Sequence, residues 1–400
     1  MQRRRLLSRS VIILAFISLF TDIASEMLYP VMPLFLQSAG FTVMWIGVLE
    51  GVAELIIGIT IGYFGKWSDR LGRRMPFVKS GYAMSAIAKP IMGLFTSLPL
   101  IFMARITERL GKGVRSSARD ALLADESSEQ TRGRVFGFHR SMDTLGAAIG
   151  PVIALIYLSF NPGDYRTMFL IAFIPGVAGV LLTFLIRESA RDGSVKSRHK
   201  GFFSYLKYWK SSSEGYKWIV AGLLLFAFFN GSDAFLFLMC KEAGVSDRNM
   251  ILAYVLYNFV FAALSMPAGK MADRIGMRRV IMTGLLCFAV VYSGFSGLNN
   301  TILVFVLFSL YGIYGACTDG ITRAWISKNC SASEKGTAFG FYKSWASVMS
   351  LSASFLTGWI WMNFSPKAAL LFSALGAFTA FLYFLLILPK KTTDFLLSDS

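Results

Sequence analysis

Apolar runs recur from end to end of the chain, each roughly 18–25 residues long and therefore able to cross the roughly 30 Å hydrocarbon core as a helix. A membrane-spanning strand would alternate polar and apolar residues over about ten positions, and these runs do not alternate. The pattern predicts helical spans over 11–36, 44–65, 76–97, 98–120, 135–158 and 166–186, then 218–239, 249–268, 280–298, 302–325, 337–360 and 367–388. The first span carries Asp22 and Glu26 and lacks a small-residue cleavage site, so it reads as a membrane helix and not as a signal peptide. The expected fold is an all-α membrane protein of twelve transmembrane helices.

Charge changes the picture by giving it a direction. Of the 40 Lys and Arg residues, 26 fall in segments that twelve alternating spans place on one side, against four (Arg166, Lys241, Arg248 and Lys367) on the other. The rich side holds the N-terminus, the loops near 66–74, 121–134, 187–217, 269–279 and 327–335, and the tail at Lys390 and Lys391. Cytoplasmic loops carry such an excess, so both termini are expected in the cytoplasm of a bacterium, with the chain in its inner membrane. The net charge of +17 then faces anionic lipid headgroups, and no nucleic-acid motif accompanies it. The four cysteines (Cys240, Cys287, Cys317, Cys330) have no CxxC spacing, and two histidines (His139, His199) cannot build a His-rich metal site. No P-loop, HExxH or GxSxG occurs, so no cofactor, metal or enzymatic chemistry is expected.

The chain repeats itself. Gly65-Lys66-Trp67-Ser68-Asp69-Arg70-Leu71-Gly72-Arg73-Arg74 returns as Gly269-Lys270-Met271-Ala272-Asp273-Arg274-Ile275-Gly276-Met277-Arg278, an offset of 204. Phe136-Gly137-Phe138-His139-Arg140 returns as Phe339-Gly340-Phe341-Tyr342-Lys343 at 203, and Gly40 and Gly244 are 204 apart. An even number of spans per copy keeps both copies in one orientation, a parallel repeat. The expected organisation is a six-helix bundle over 1–186, a basic cytoplasmic linker over 187–217 and a second six-helix bundle over 218–400. Over essentially its whole length the sequence resembles the major facilitator superfamily, whose G-x-x-x-D-R-x-G-R-R loop signature residues 65–74 match at every defined position. The second copy departs once, at Met277. The resemblance implies two pseudo-symmetric six-helix bundles, alternating access and a small-molecule substrate. It also implies a cytoplasmic gate of Gly65, Asp69, Arg70, Gly72 and Arg73, in which Asp69 meets the start of the eleventh helix near Lys335–Ala338. Asp273 and Arg274 would act symmetrically near Gly133–Arg134. Without the resemblance, the loop is a charged turn that satisfies the orientation rule.

Ionisable groups at membrane depth cost several kcal/mol unless paired or wetted, so each is a functional candidate. They concentrate in the first half: Asp22, Glu26, Glu50, Glu54, Lys79, Lys89, Arg105, Glu108, Arg109, Lys112, Arg115, Arg119, Asp120, Arg140 and Asp143, against Asp233, Asp319, Arg323 and Lys343 in the second. Asp22/Glu26 and Glu50/Glu54 are i,i+4 pairs that share a helix face. Two carboxylates this close in low dielectric rarely both ionise, so one of each pair is expected to hold a proton, as a proton-coupled carrier needs. The alternative is that basic neighbours neutralise all of them as structural glue. Proton-coupling candidates are Asp22, Glu26, Glu50, Glu54, Arg109 and Asp143. Arg105, Arg109, Lys112, Ser116 and Arg119 recur at four- and three-residue steps as one polar stripe. Arg109-Leu110-Gly111-Lys112-Gly113 resembles the superfamily's R-x-x-Q-G motif with Lys112 in place of Gln, which implies a coupling role for Arg109. Gly146-x-x-x-Gly150-Pro151 resembles the G-x-x-x-G-P motif of proton-coupled antiporters, and reads equally as helix packing.

Substrate-cavity candidates are Tyr29, Lys89, Arg105, Lys112, Arg115, Asn230, Asp233 and Trp345. Two solutes compete: an amphipathic drug or metabolite that is exported, suggested by the helix-packing motif and 36 Phe residues, and an organic anion of polycarboxylate or siderophore type, suggested by the cationic stripe. A cavity lined by Arg105, Arg109 and Lys112 would favour the anion; one lined by aromatic rings would favour export. A membrane receptor or enzyme is the remote alternative. The expected partners are the solute, protons and the bilayer, with the protein a monomer and no nucleic acid involved.

Overall fold

In lipid no water satisfies an exposed peptide group, so a spanning chain closes its hydrogen bonds within each segment and becomes helical. The computed structural model describes residues 8–127, 131–186, 188, 208–331 and 334–387, apart from the side chains of Asp69 and Arg132. Most of the 187–217 linker and the Asp69 side chain therefore lie outside the described residues. The helices are α1 Arg9–Glu26, α2 Met32–Ser38, α3 Val43–Leu71, α4 Met75–Leu94, α5 Leu98–Asp125, α6 Arg132–Phe160, α7 Tyr165–Thr183 and α8 Tyr208–Ser211. They continue with α9 Glu214–Ala227, α10 Ala234–Glu242, α11 Asp247–Ile275, α12 Met277–Ser296, α13 Thr301–Lys328, α14 Lys335–Asn363 and α15 Pro366–Leu382, which runs into a π-helical turn Tyr383–Ile387. No strand occurs among the described residues.

Side chains set the helix starts. Ser8, Ser213, Ser246 and Ser365 each accept from a backbone N–H three residues on, satisfying one of the donors that a helix start leaves open. Between α6 and α7 the Tyr157 hydroxyl donates to Asp164 Oδ2 at 2.6 Å, while Asp164 Oδ1 caps Thr167 N. That phenol, with the Thr167 contacts, holds the Asp164 carboxyl below its usual range.

Two expected spans are not continuous. The span over 11–36 is α1 and α2, interrupted at 27–31, where Pro30 has no N–H to give. The span over 218–239 is α9 and α10, interrupted at 228–233. Here side chains take over the freed backbone: Ser232 N donates to Ser354 Oγ at 3.0 Å, and Ala234 N to Ser232 Oγ at 3.3 Å. Among the described residues, seven helices (α3, α6, α7, α11, α12, α13 and α15) are long and apolar enough to cross a membrane by themselves. The remaining crossings are the two interrupted spans, the charge-bearing α4 and α5, and the Ser-rich α14, which completes the expected twelve.

The sequence repeat is also a repeat of structure. α3 and α11 each have 29 residues, α4 and α12 have 20, α5 and α13 have 28, and α6 and α14 have 29. Gly40 and Gly244, and Gly72 and Gly276, have positive φ, the turn geometry that side chains resist. α4 packs on α5 and α7, and α1 on α6; in the second copy α12 packs on α13 and α15, and α9 on α14. Packing divides the chain into two compact units, Met1–Phe41 with Val52–His199, and Thr42–Gly51 with Lys200–Ser400. The opening turns of α3 join the second unit because Gly47 lies hard against α14, where a Cβ would stand 2.5 Å from Ser354 O.

Candidate functional site

α4 and α5 approach so closely that a Cβ on Gly81 would stand 2.6 Å from Gly111 O. The contact brings two polar faces together: Tyr82, Ser85 and Lys89, at i, i+3 and i+7 on α4, meet Arg105, Glu108 and Arg115 on α5. Glu108 is the centre. Arg105 Nη1 bonds its Oε2, and Lys89 Nζ lies 3.6 Å from its Oε1. Lys89 Nζ also donates to Ser85 O at 3.1 Å, and Ser85 Oγ donates to Glu108 O at 3.1 Å. Arg115 Nη1 donates to Ser85 Oγ and its guanidinium lies 4.5 Å from the centre of the Tyr82 ring, a cation–π contact. Lys89 is 1% exposed and Glu108 7% exposed, so these two charges are largely removed from water and held by one another and by Arg105.

Beside this cluster lies a cavity of about 150 Å³ within the first unit. Carboxylates of Asp22, Glu26, Glu54 and Glu108 line it with the cations of Arg105, Arg109, Lys112 and Arg115, together with Ser25, Leu28, Tyr29 and Ser85. Arg109 Nη1 lies 3.7 Å from Glu54 Oε1, tying α5 to α3. The α1 side of the cavity is positioned by α6. A Cβ on Gly146 would stand 2.7 Å from Leu19 O and 2.9 Å from Asp22 Cβ, and one on Gly150 would stand 2.7 Å from Ile23 O. The Gly146/Gly150 motif is therefore a packing seam, and what it seats is the Asp22–Glu26 face.

Of the predicted coupling residues, Asp22, Glu26, Glu54 and Arg109 come together at the cavity. Glu50 is buried one turn earlier on α3, in the stretch that packs with the second unit. Asp143 lies 3.5 Å from His139 Nδ1 within α6. Of the predicted substrate residues, Tyr29, Arg105, Lys112 and Arg115 line the cavity; Lys89 stands behind it as the partner of Glu108. The polar stripe does not stay together: Arg119 pairs with Asp120 at 2.9 Å and donates to Ser18 at 3.4 Å. Trp345 is half-exposed on α14. Asn230 and Asp233 sit in the interruption between α9 and α10. Tyr311 donates to Asp233 Oδ1 at 2.5 Å, and Asn230 Nδ2 to the Tyr314 hydroxyl at 3.5 Å.

In the loop motif, Arg70, Arg73 and Arg274 are exposed. Arg74 pairs with Asp125 at 3.3 Å, while Glu188 accepts from Arg74 N and Met75 N at 2.6 and 2.8 Å and so caps α4. Asp273 lies 3.9 Å from Lys328. Sequence reading missed Tyr82 and Ser85, which carry no charge; their i, i+3, i+7 spacing with Lys89 was the available signal. It also passed over His139, which is 4% exposed and four residues before Asp143.

An all-helical polytopic membrane protein, duplicated in sequence and structure and lined at one cavity by charge, belongs to the class of solute carriers. The Major Facilitator Superfamily model matches residues 14–255 and 238–397, and the chain belongs to that family. It is 30% identical over 389 residues to an uncharacterized MFS-type transporter of Methanocaldococcus jannaschii, covering 96% of each chain. It is 23% identical to the multidrug resistance protein MdtG of Escherichia coli, covering 91% of this chain and 90% of that one. In fold it is similar to a variant of the nucleoside transporter NupG, with TM-score 0.78, 12% identity and 94% and 98% coverage. The human organic anion transporter MFSD10 is similar at TM-score 0.66 and 15% identity, with 94% and 99% coverage.

Proposed function

We propose that this member of the family is a proton-coupled secondary transporter of a small organic solute that carries an anionic group. The observation that carries the reading is the lining of the first-unit cavity: four cations face four carboxylates that protons can neutralise, with Tyr29 the single aromatic ring among the described lining residues. Glu108 is committed to Lys89 and Arg105, so the exchangeable acids are Asp22, Glu26 and Glu54. With Glu54 ionised, it competes for Arg109. With a proton on Glu54, Arg109 and Lys112 are released to hold an anion. Proton and solute then bind in place of one another's counter-charge, and their affinities are linked through shared cations. Asp69 and Asp273 serve as cytoplasmic gate residues in this reading, with both termini in the cytoplasm, a monomer in the bacterial inner membrane. Asp69→Asn is then expected to slow turnover in a protein that still folds; unchanged turnover and conformational distribution would leave the loop a purely topological role.

The similarity to MdtG supports a second reading, export of amphipathic drugs. The two are separated by flux in proteoliposomes holding the purified protein, with an imposed pH gradient and a panel of carboxylate-bearing solutes and neutral or cationic amphipaths. Gradient-driven movement of the carboxylates supports the first reading. Movement of the amphipaths alone would replace it with the second.

A further inference from the structure

Apart from the cavity, the second unit contains a polar site built on the interruption of its first membrane span. Residues 228–233 leave the helix, and this stretch presents two acceptors, Asn230 and Asp233. Asp233 Oδ1 takes the Tyr311 hydroxyl, and Asn230 gives its Nδ2 to Tyr314 at 3.5 Å. Asn230 Oδ1 is buried and has no hydrogen-bond partner among the described residues, which is costly for an amide in a dry setting. Around these acceptors stands a run of phenols: Tyr257 and Tyr311 stack at 5.4 Å between ring centres, and Tyr311 and Tyr314 at 5.2 Å. Phe288 closes on Tyr314 at 5.0 Å. The repeat marks the position as equivalent to the charged site of the first unit, because an offset of 203 takes Glu108 to Tyr311 and one of 204 takes Glu26 to Asn230. Where the first unit supplies guanidinium and ammonium groups, the second supplies one carboxylate, an amide oxygen that lacks a donor, and electron-rich rings.

We propose that Asn230, Asp233 and the tyrosines around them form a subsite for an organic ammonium group. A protonated amine brings several N–H donors: one satisfies Asn230 Oδ1 and another meets the Asp233 carboxylate, while its organic part packs beside the tyrosine rings. The setting distinguishes this ligand from an alkali cation, which needs several oxygens and has no organic part to pack beside the rings. The site uses second-unit residues alone, so it stands or falls separately from the anion reading of the first unit.

The test is calorimetric titration of the full-length protein in nanodiscs with benzylammonium, and in parallel with benzyl alcohol and with sodium chloride. Benzylammonium should bind at least ten times more tightly than benzyl alcohol. Asp233→Asn should weaken benzylammonium at least tenfold and Asn230→Leu severalfold, while Tyr311→Phe, which keeps the ring, should weaken it less than Asp233→Asn. Size-exclusion profiles and melting curves matching the parent's establish that each variant is folded, and Asn230→Leu serves if Asp233→Asn is not. Equal binding of alcohol and amine, unchanged amine affinity in folded Asp233→Asn and Asn230→Leu, or a response to sodium in place of the amine would overturn the proposal.

Discussion

On α5, Glu108 lies between Lys89 and Arg105; at the equivalent position on α13, Tyr311 gives its hydroxyl to Asp233. The same helix pair, with the same lengths and the same partners, is thus filled in one unit by a charged network and in the other by phenols. Tyrosine stacks such as Tyr257–Tyr311 and Phe288–Tyr292, the latter at 4.0 Å, bury large area and need few partners. The ionic solution carries a desolvation penalty that apolar packing avoids, and buried ion pairs are often no better for stability than well-packed apolar residues. The proposed function accounts for why one copy keeps Arg105, Glu108 and Arg115 where the other is built with aromatics: in that reading they act at the cavity they line, with Lys89 behind them as the partner of Glu108.

Breaking the centre of the charged network should have the largest effect. Glu108→Gln strands Lys89 and Arg105, and the variant is expected to lose about 3–5 kcal/mol, read as a lowered unfolding midpoint in detergent. Glu108→Leu combined with Lys89→Met and Arg105→Met should recover most of that stability while leaving transport impaired; failure to recover would mean that the charges are the scaffold itself. Next in size is the seam that seats α1. Gly150→Leu places a side chain where Ile23 O and Met27 N already stand, and overpacking of this kind costs about 1–3 kcal/mol. The same melting experiment reads it, and solute affinity should fall too, because Asp22 and Glu26 ride on the displaced face. The smallest effect belongs to the second unit: Tyr311→Phe removes one hydrogen bond from a cluster whose rings remain stacked, for about 0.5–1.5 kcal/mol. A Tyr311→Phe loss as large as that of Glu108→Gln would erase the contrast between the units.

Much of this contrast could be read from the chain. The 204-residue offset between Gly65–Arg74 and Gly269–Arg278 announced the repeat, and hydropathy alone drew spans that match α3 to α7 and α11 to α15 within a few residues at most ends. The i,i+4 spacing of Asp22 and Glu26, and the three- and four-residue steps through Arg105, Arg109 and Lys112, put those side chains on faces that do meet at the cavity. Hydropathy averages over a window, so it ran through the interruption at 27–31, which stays apolar, and through 228–233, where Asn230, Ser232 and Asp233 are too few to pull the average down. Periodicity within one helix also carries no information about its neighbour. It could not show that Lys89 turns to Glu108 and away from the cavity, that Asp143 turns to His139, or that Arg119 leaves the stripe for Ser18. Tyr82 and Ser85, whose spacing from Lys89 placed them on one face, stood out less for a related reason: their importance lies in Arg115, which reaches them from another helix.

The central claim is that the ionisable groups of the first-unit cavity couple proton movement to solute movement, and its most direct test is concentrative transport with and without a pH gradient. Purified parent, Glu26→Gln, Glu54→Gln and Arg109→Ala proteins would be reconstituted at equal density, and accumulation and downhill flux of the same solute measured in each. The account predicts that a pH gradient drives accumulation by the parent. It predicts that Glu54→Gln or Glu26→Gln loses that accumulation while retaining downhill flux, and that Arg109→Ala loses accumulation and binds the anion more weakly. Accumulation at the parental level by all three variants would contradict it, and would assign Glu26, Glu54 and Arg109 a purely structural part.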